Sequence, residues 1–143
     1  MNRYAAILCV LLVGLTAFAE KEESLQQLIA RADKAHADDR PALYIEVAER
    51  QLKAADSSYT SGNTVEANAA IQDVGAYSGK AHDAAVQYPK KLKATEISLR
   101  KMAARLRDMK RTLSFEDQAP VQAVVDRLES LRTDLQKRMF GGK

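Results

Sequence analysis

The sequence predicts an all-α protein, an antiparallel bundle of four to five helices. Its 143 residues are rich in Ala, Leu, Lys, Arg, Glu and Gln, which lose little rotamer freedom in a helix, and include only 6 Gly and 3 Pro. Apolar residues recur at steps of three and four in successive segments, which Pro or Gly separates. No segment shows the period-two alternation typical of a half-buried strand.

Residues 1–19 have the layout of a cleaved secretory signal peptide. Arg3 supplies a positive charge, Ala5 to Leu15 form an apolar run, and small residues precede Glu20. A retained membrane anchor is the first alternative, but it needs about 20 apolar residues to cross the hydrocarbon core. A lipid-modified cysteine is the second, but Cys9 lies in the middle of the apolar run. We therefore expect export to the bacterial periplasm or cell exterior.

The predicted mature chain contains no cysteine, because Cys9 is the only one in the sequence. It therefore needs no disulfide in an oxidising compartment and offers no thiol as nucleophile or metal ligand. Its length suits one domain, which we place at residues 20–140, followed by a disordered tail at 141–143.

Proline and glycine divide this domain into five predicted helices. Pro41, Pro89 and Pro120 each suit the first turn of a helix, and Gly62 with Asn63 suits a helix end. Gly75 and Gly79 weaken the middle of the third helix, and they either mark a close contact with a neighbouring helix or are merely tolerated there. The predicted helices cover 20–39, 41–59, 65–88 and 90–113, with a fifth beginning near residue 120.

The last two helices carry the sharpest periodicity. Their apolar residues alternate steps of three and four, as in the seam of a coiled coil, and a short connection favours an antiparallel hairpin. The same seam is a candidate for self-association. It comprises Leu92, Leu99, Met102, Leu106, Met109, Leu113, Val121, Val124, Leu128, Leu131 and Leu135.

Residues 44–88 contain a helical hairpin that resembles a tetratricopeptide repeat. In that family a Tyr near the end of the first helix is followed by Gly-Asn, then by Ala and a large apolar residue. Tyr59, Gly62, Asn63, Ala67 and Ile71 follow this order in a single copy. The resemblance implies an interaction scaffold and a hairpin character for the first half of the bundle.

Few residues here suit catalysis. His36 and His82 are the only imidazoles; Asp33 and His36 share a helix face, whereas the side chains of His82 and Asp83 are expected to diverge. A diiron bundle would need two carboxylate–histidine motifs and further carboxylates. The sequence carries no haem-attachment, phosphate-loop or nucleophile-elbow motif. We therefore predict no enzyme activity, no catalytic or metal site and no cofactor.

The fourth predicted helix is strongly basic, although the whole chain carries a net charge of only +3. These charges either pair within the bundle or form a surface for anionic lipid, a cell-wall polymer or an acidic protein. Nucleic acid is not expected, since aromatic residues do not interleave with the charges. The candidates are Lys90, Lys91, Lys93, Arg100, Lys101, Arg105, Arg107, Lys110 and Arg111.

Two functions follow from this pattern. The first is a non-enzymatic protein of the periplasm or cell envelope that acts through contact with an envelope protein or with itself. The second is a bundle that carries a ligand, cofactor or anionic lipid or polymer, bound through the basic helix at 90–111.

Overall fold

The computed structural model describes residues 22–141 and confirms an all-α helical bundle. The predicted leader at 1–19 and tail residues 142 and 143 lie outside the described residues. Among residues 22–141 there are five α-helices, no strand, and one 3-10 turn at Pro89–Lys91. The helices are α1 (Leu25–Lys34), α2 (Arg40–Thr60), α3 (Thr64–Gln87), α4 (Leu92–Thr112) and α5 (Phe115–Phe140).

Helix α1 is shorter than predicted because its ends are set by local hydrogen bonds. Ser24 and Gln27 form a capping box, in which each side chain binds the other's backbone N–H. At the other end Ala35 is extended, and its carbonyl accepts a hydrogen bond from Arg40 Nη2 at 2.9 Å. Leu28 is fully buried, and α1 packs against α2.

Helices α2 and α3 form an antiparallel hairpin around the predicted turn. Gly62 has φ +79°, a left-handed conformation that L side chains rarely adopt. The Tyr59 hydroxyl donates to Asn68 Oδ1 at 2.6 Å, and Gln51 Nε2 donates to Asp73 Oδ2 at 3.0 Å. Alanines that are largely buried line the interface, which allows the two helix axes to approach closely. The hairpin is thus the predicted first half of the bundle.

Helix α5 packs against α3 at Gly75 and Gly79, so these glycines do mark a close helix contact. Arg127 lies across both of them and donates from Nε to the Gly75 carbonyl at 3.2 Å. A Cβ at Gly79 would lie 2.8 Å from Arg127 Nη2, whereas a Cβ at Gly75 would meet Arg127 Cδ at 3.4 Å. Only at Gly79, therefore, would a side chain displace the arginine.

The substitution Gly75→Ala is expected to raise the free energy of unfolding by about 0.5–1 kcal/mol, since alanine favours a helix interior and the new methyl fits. Urea denaturation followed by circular dichroism measures this. Gly79→Ala is the matched control and should gain less, because its methyl displaces the Arg127 guanidinium. An equal gain at both positions would contradict the role assigned to Gly79.

Helices α4 and α5 form the second hairpin, and its seam lies inside the bundle. Leu99, Leu106 and Leu128 are fully buried, and the other members of the seam are buried except Leu113 and Leu131, which are half-buried. The seam is therefore a contact within this chain. It is not exposed to a second copy while the bundle is closed.

The prediction that Pro120 begins α5 was wrong. The helix starts five residues earlier, at Phe115, and Pro120 lies within it. Asp117 N–H bonds the Ser114 carbonyl at 3.0 Å, and Gln118 Nε2 binds the Leu113 carbonyl at 3.1 Å, so the first turn forms before the proline. Proline removes one backbone bond near the helix start, the one to the carbonyl of Glu116, which is an exposed residue.

Candidate interaction surface

One side of α4 forms a mainly positively charged surface, which we name the cationic face. Because its residues recur at helical spacing, they project outward together, opposite the buried seam. At 1.5 Å per residue, the part within α4 extends for about 27 Å. The face consists of the exposed residues Lys90, Lys93, Arg100, Lys101, Arg105 and Arg111.

Few acidic groups neutralise this face. Within residues 22–141 its one ion pair joins Arg111 to Asp108 at 3.2 Å, and both side chains are about three-quarters exposed. Such a pair contributes little and is screened by salt. Asp56 of α2 and Arg105 line a shallow groove of about 330 Å³, without an ion pair between them. The charge is thus available to a ligand.

The other three predicted basic residues are placed differently. Arg107 pairs with Glu129 of α5, Lys110 donates to Gln122 of α5, and Lys91 is half-buried beside α2. Internal pairing therefore accounts for some charges of the basic helix, and an exposed charged surface accounts for the others. The side toward α5 is paired internally, and the outward side is not.

A buried charge network joins α4 to α5, and sequence reasoning missed it. Arg132 donates from Nε and Nη2 to Glu96 Oε1 at 3.0 and 2.8 Å, and from Nη1 to Glu129 Oε2 at 2.8 Å. Only 8% of the Glu96 side chain and 15% of the Arg132 side chain are exposed. In the sequence, the available indication of this network was the position of Glu96, which follows Thr95 at the edge of the seam.

The network shifts the pKa of two of its groups, Glu129 and Arg132. Burial alone raises the pKa of Glu129, but hydrogen bonds from Arg107 and Arg132 outweigh it and hold that pKa below its usual value. Burial likewise opposes the charge of Arg132, yet its bonds to Glu96 and Glu129 raise its pKa. The ionised forms are therefore the ones that this packing favours.

The two histidines lie in different settings. His36 is exposed, in the turn after α1, and Asp33 accepts a hydrogen bond from Tyr44 at 2.7 Å. Burial and this bond raise the pKa of Tyr44 to about 12. Among residues 22–141 there is no cluster of three or more His, Cys, Asp or Glu arranged to hold a metal ion.

His82 links α3 to α5. Its Nε2 lies 2.7 Å from Asp134 Oδ2 and its Nδ1 lies 2.9 Å from Asp83 Oδ1, so the expected divergence from Asp83 was wrong. Arg138 Nε also binds Asp134, at 2.6 Å. Bonds from Arg138 and then His82 lower the pKa of Asp134. These polar contacts join α3 to α5.

Two large apolar side chains are exposed at the end of the bundle where both hairpins turn. Val65 is 85% exposed and Phe115 is 89% exposed. The two turns lie near each other, since Asp56 close to the end of α2 and Thr112 at the end of α4 line one groove. We name this region the turn end. Phe140, which is 81% exposed, closes α5 at the opposite end.

Comparisons with protein-family models, with curated proteins and with solved structures gave no match. The tetratricopeptide resemblance of residues 44–88 therefore stays a prediction. None of the helices within residues 22–141 combines the length and apolar character needed to cross a membrane.

Proposed function

We propose that this protein is an exported, non-enzymatic interaction module of the bacterial periplasm or cell envelope that acts through protein–protein contact. The observation that supports it best is the turn end, where Val65 and Phe115 are both exposed at the same end of the bundle. The signal-peptide pattern of residues 1–19 supports export. The tetratricopeptide resemblance of residues 44–88 agrees with an interaction role.

An exposed aromatic side chain on a helix is a suitable anchor for a partner. Phenylalanine is enriched in the cores of protein interfaces, and anchors of this kind are surrounded by polar residues that exclude water. Phe115 lies in the first turn of α5, and it lines a shallow depression of about 360 Å³ together with Lys110 and Gln122. An apolar anchor with a polar rim is therefore present at this position.

The burial of the seam limits the surfaces that a partner can reach. Leu99, Leu106 and Leu128 are fully enclosed by this chain, so a partner that used them would have to open the bundle. A partner, including a second copy, would instead meet the outer surface. The turn end is the part of that surface that presents large apolar groups on neighbouring turns.

Site-specific photocrosslinking in the producing cells tests the proposal. A photoreactive phenylalanine analogue at position 115 should give a discrete protein adduct from the envelope, and Val65→Ser should reduce that adduct severalfold. The analogue at Phe140 is the matched control, since it is equally exposed at the opposite end. The mass of the recovered protein also reports processing, with Glu20 as the expected first residue.

Two outcomes would count against the proposed function. The absence of a discrete adduct at 115 would reject the turn end as a docking surface. If the analogue gave the same set of adducts at positions 115 and 140, the crosslinks would reflect the exposure of these positions and not a specific contact.

Binding of an anionic ligand through the basic helix is the second candidate function. The exposed cationic face favours it, because Lys93, Arg100, Lys101 and Arg105 have no ion-pair partner among the described residues. This candidate uses a different surface from the turn end.

A further inference from the structure

We infer that the cationic face of α4 binds the surface of a lipid bilayer that contains anionic phospholipids. This inference develops the second candidate function and does not depend on docking at the turn end. The protein would meet such a bilayer in the cell envelope if it is exported as proposed. The binding itself is a property of the folded chain.

The first argument is the division of charges on α4. Arg107 and Lys110 are engaged by Glu129 and Gln122 of α5, although an equally basic helix could have left them exposed. Lys93, Arg100, Lys101 and Arg105 project away from the bundle, and within residues 22–141 no carboxylate lies within 4.0 Å of their charged nitrogens. The charges are therefore concentrated on one side.

The second argument is the shape of this charged surface. Five of its six members lie along α4, a helix of 21 residues, and Lys90 lies in the turn just before it, so their charged groups can reach one plane together. A bilayer surface attracts each such residue by an amount that corresponds to about a fivefold change in binding. The six cations of the face therefore suffice for measurable peripheral binding.

The third argument separates a bilayer from an acidic protein. Protein interfaces with useful affinity rely on aromatic or other large apolar anchors, and lysine is depleted in them. The residues between the cations are Ala94, Ser98 and Ala104, with Ile97 half-buried. A bilayer surface needs no such anchor, because charge alone holds a peripheral protein.

Acidic residues lie both within the face and along its α2 side. Asp108 lies within it, and Asp56 lies across the groove from Arg105. Glu49 of α2 lines a second groove with Lys91, toward the start of α4. Asp56 and Glu49 place the edge of the contact along the α2 side, whereas Asp108 opposes binding from within the face. Removing the charge of Asp108 should therefore strengthen binding.

Vesicle cosedimentation of the exported form tests this inference. Binding is expected with vesicles of phosphatidylcholine containing one-third phosphatidylglycerol, is expected to weaken with added salt, and is not expected with phosphatidylcholine alone. The triple variant Arg100→Glu, Lys101→Glu, Arg105→Glu should bind at least about a hundredfold more weakly, because it removes three attractive charges and adds three repulsive ones. Asp108→Asn should bind about fivefold more tightly.

The matched control carries the same change of charge elsewhere. Lys34, Lys80 and Lys137 are exposed on α1, α3 and α5, and their reversal to glutamate should reduce binding much less than the α4 triple does. Circular dichroism checks that each variant is folded. An equal loss in both triples would show a net-charge effect and would overturn the inference.

Two further outcomes overturn it. Absence of binding to the anionic vesicles rejects the bilayer as ligand. Binding of polyglutamate with the same dependence on residues 100, 101 and 105, but without vesicle binding, would identify an acidic polypeptide instead. Neither outcome bears on crosslinking at Phe115, so this inference and the proposed function can fail separately.

Discussion

Replacing Arg132 with methionine is expected to lower the free energy of unfolding by about 3–5 kcal/mol. Arg132 supplies two hydrogen bonds to Glu96, of which only 8% of the side chain is exposed. Methionine fills a similar volume but leaves the Glu96 carboxylate with a single weak donor, Gln136 Nε2 at 3.3 Å. Most of the loss arises because a buried charge is left without a partner. Urea denaturation at neutral pH measures the loss.

The double variant Glu96→Leu, Arg132→Met is the control. It removes both charges, and Glu129 keeps Arg107 as a partner, so its stability should lie within about 1.5 kcal/mol of the original chain. The single variant should therefore be the less stable of the two. If the double variant loses as much as the single variant or more, the penalty does not arise from an unpaired carboxylate.

The substitution Leu106→Ala is expected to lower the free energy of unfolding by about 3 kcal/mol. Leu106 is fully buried in the main core cluster, so its removal loses the transfer free energy of the side chain and leaves a cavity. The midpoint of urea denaturation should fall without a change in its slope.

Leu131→Ala is the matched control, because the chemistry is the same and Leu131 is only half-buried on the same seam. Its free energy of unfolding should fall by about half as much as that of Leu106→Ala, since less apolar surface returns to water. Equal losses at the two positions would contradict the burial that separates them.

The spacing of apolar residues predicted most of this fold because burial follows helical periodicity. The seam from Leu92 to Leu135 is buried or half-buried as expected, and the turn at Gly62 lies where glycine and asparagine indicated. The errors lie at helix ends. Pro120 marked no boundary, because hydrogen bonds around Ser114 start α5 earlier than proline alone suggests.

The candidate surface was only half predictable from the sequence. All nine basic residues of the 90–111 segment look alike in sequence, since each lies outside the seam. Whether one is paired depends on which residue of α5 lies opposite it, as Glu129 does for Arg107. The buried partners Glu96 and Arg132 are 36 residues apart, and no local pattern relates them.

The sequence by itself determined the all-helical character, the two hairpins and the excess of positive charge on the fourth helix. These properties depend on backbone propensity and on which residues avoid water, and both act locally along the chain. Only the tertiary structure decided that the seam closes within one chain, that Gly79 makes room for Arg127, and that four cations on the outer side of α4 have no ion-pair partner among the described residues. Those outcomes depend on contacts between distant segments, and such contacts form only when the helices pack.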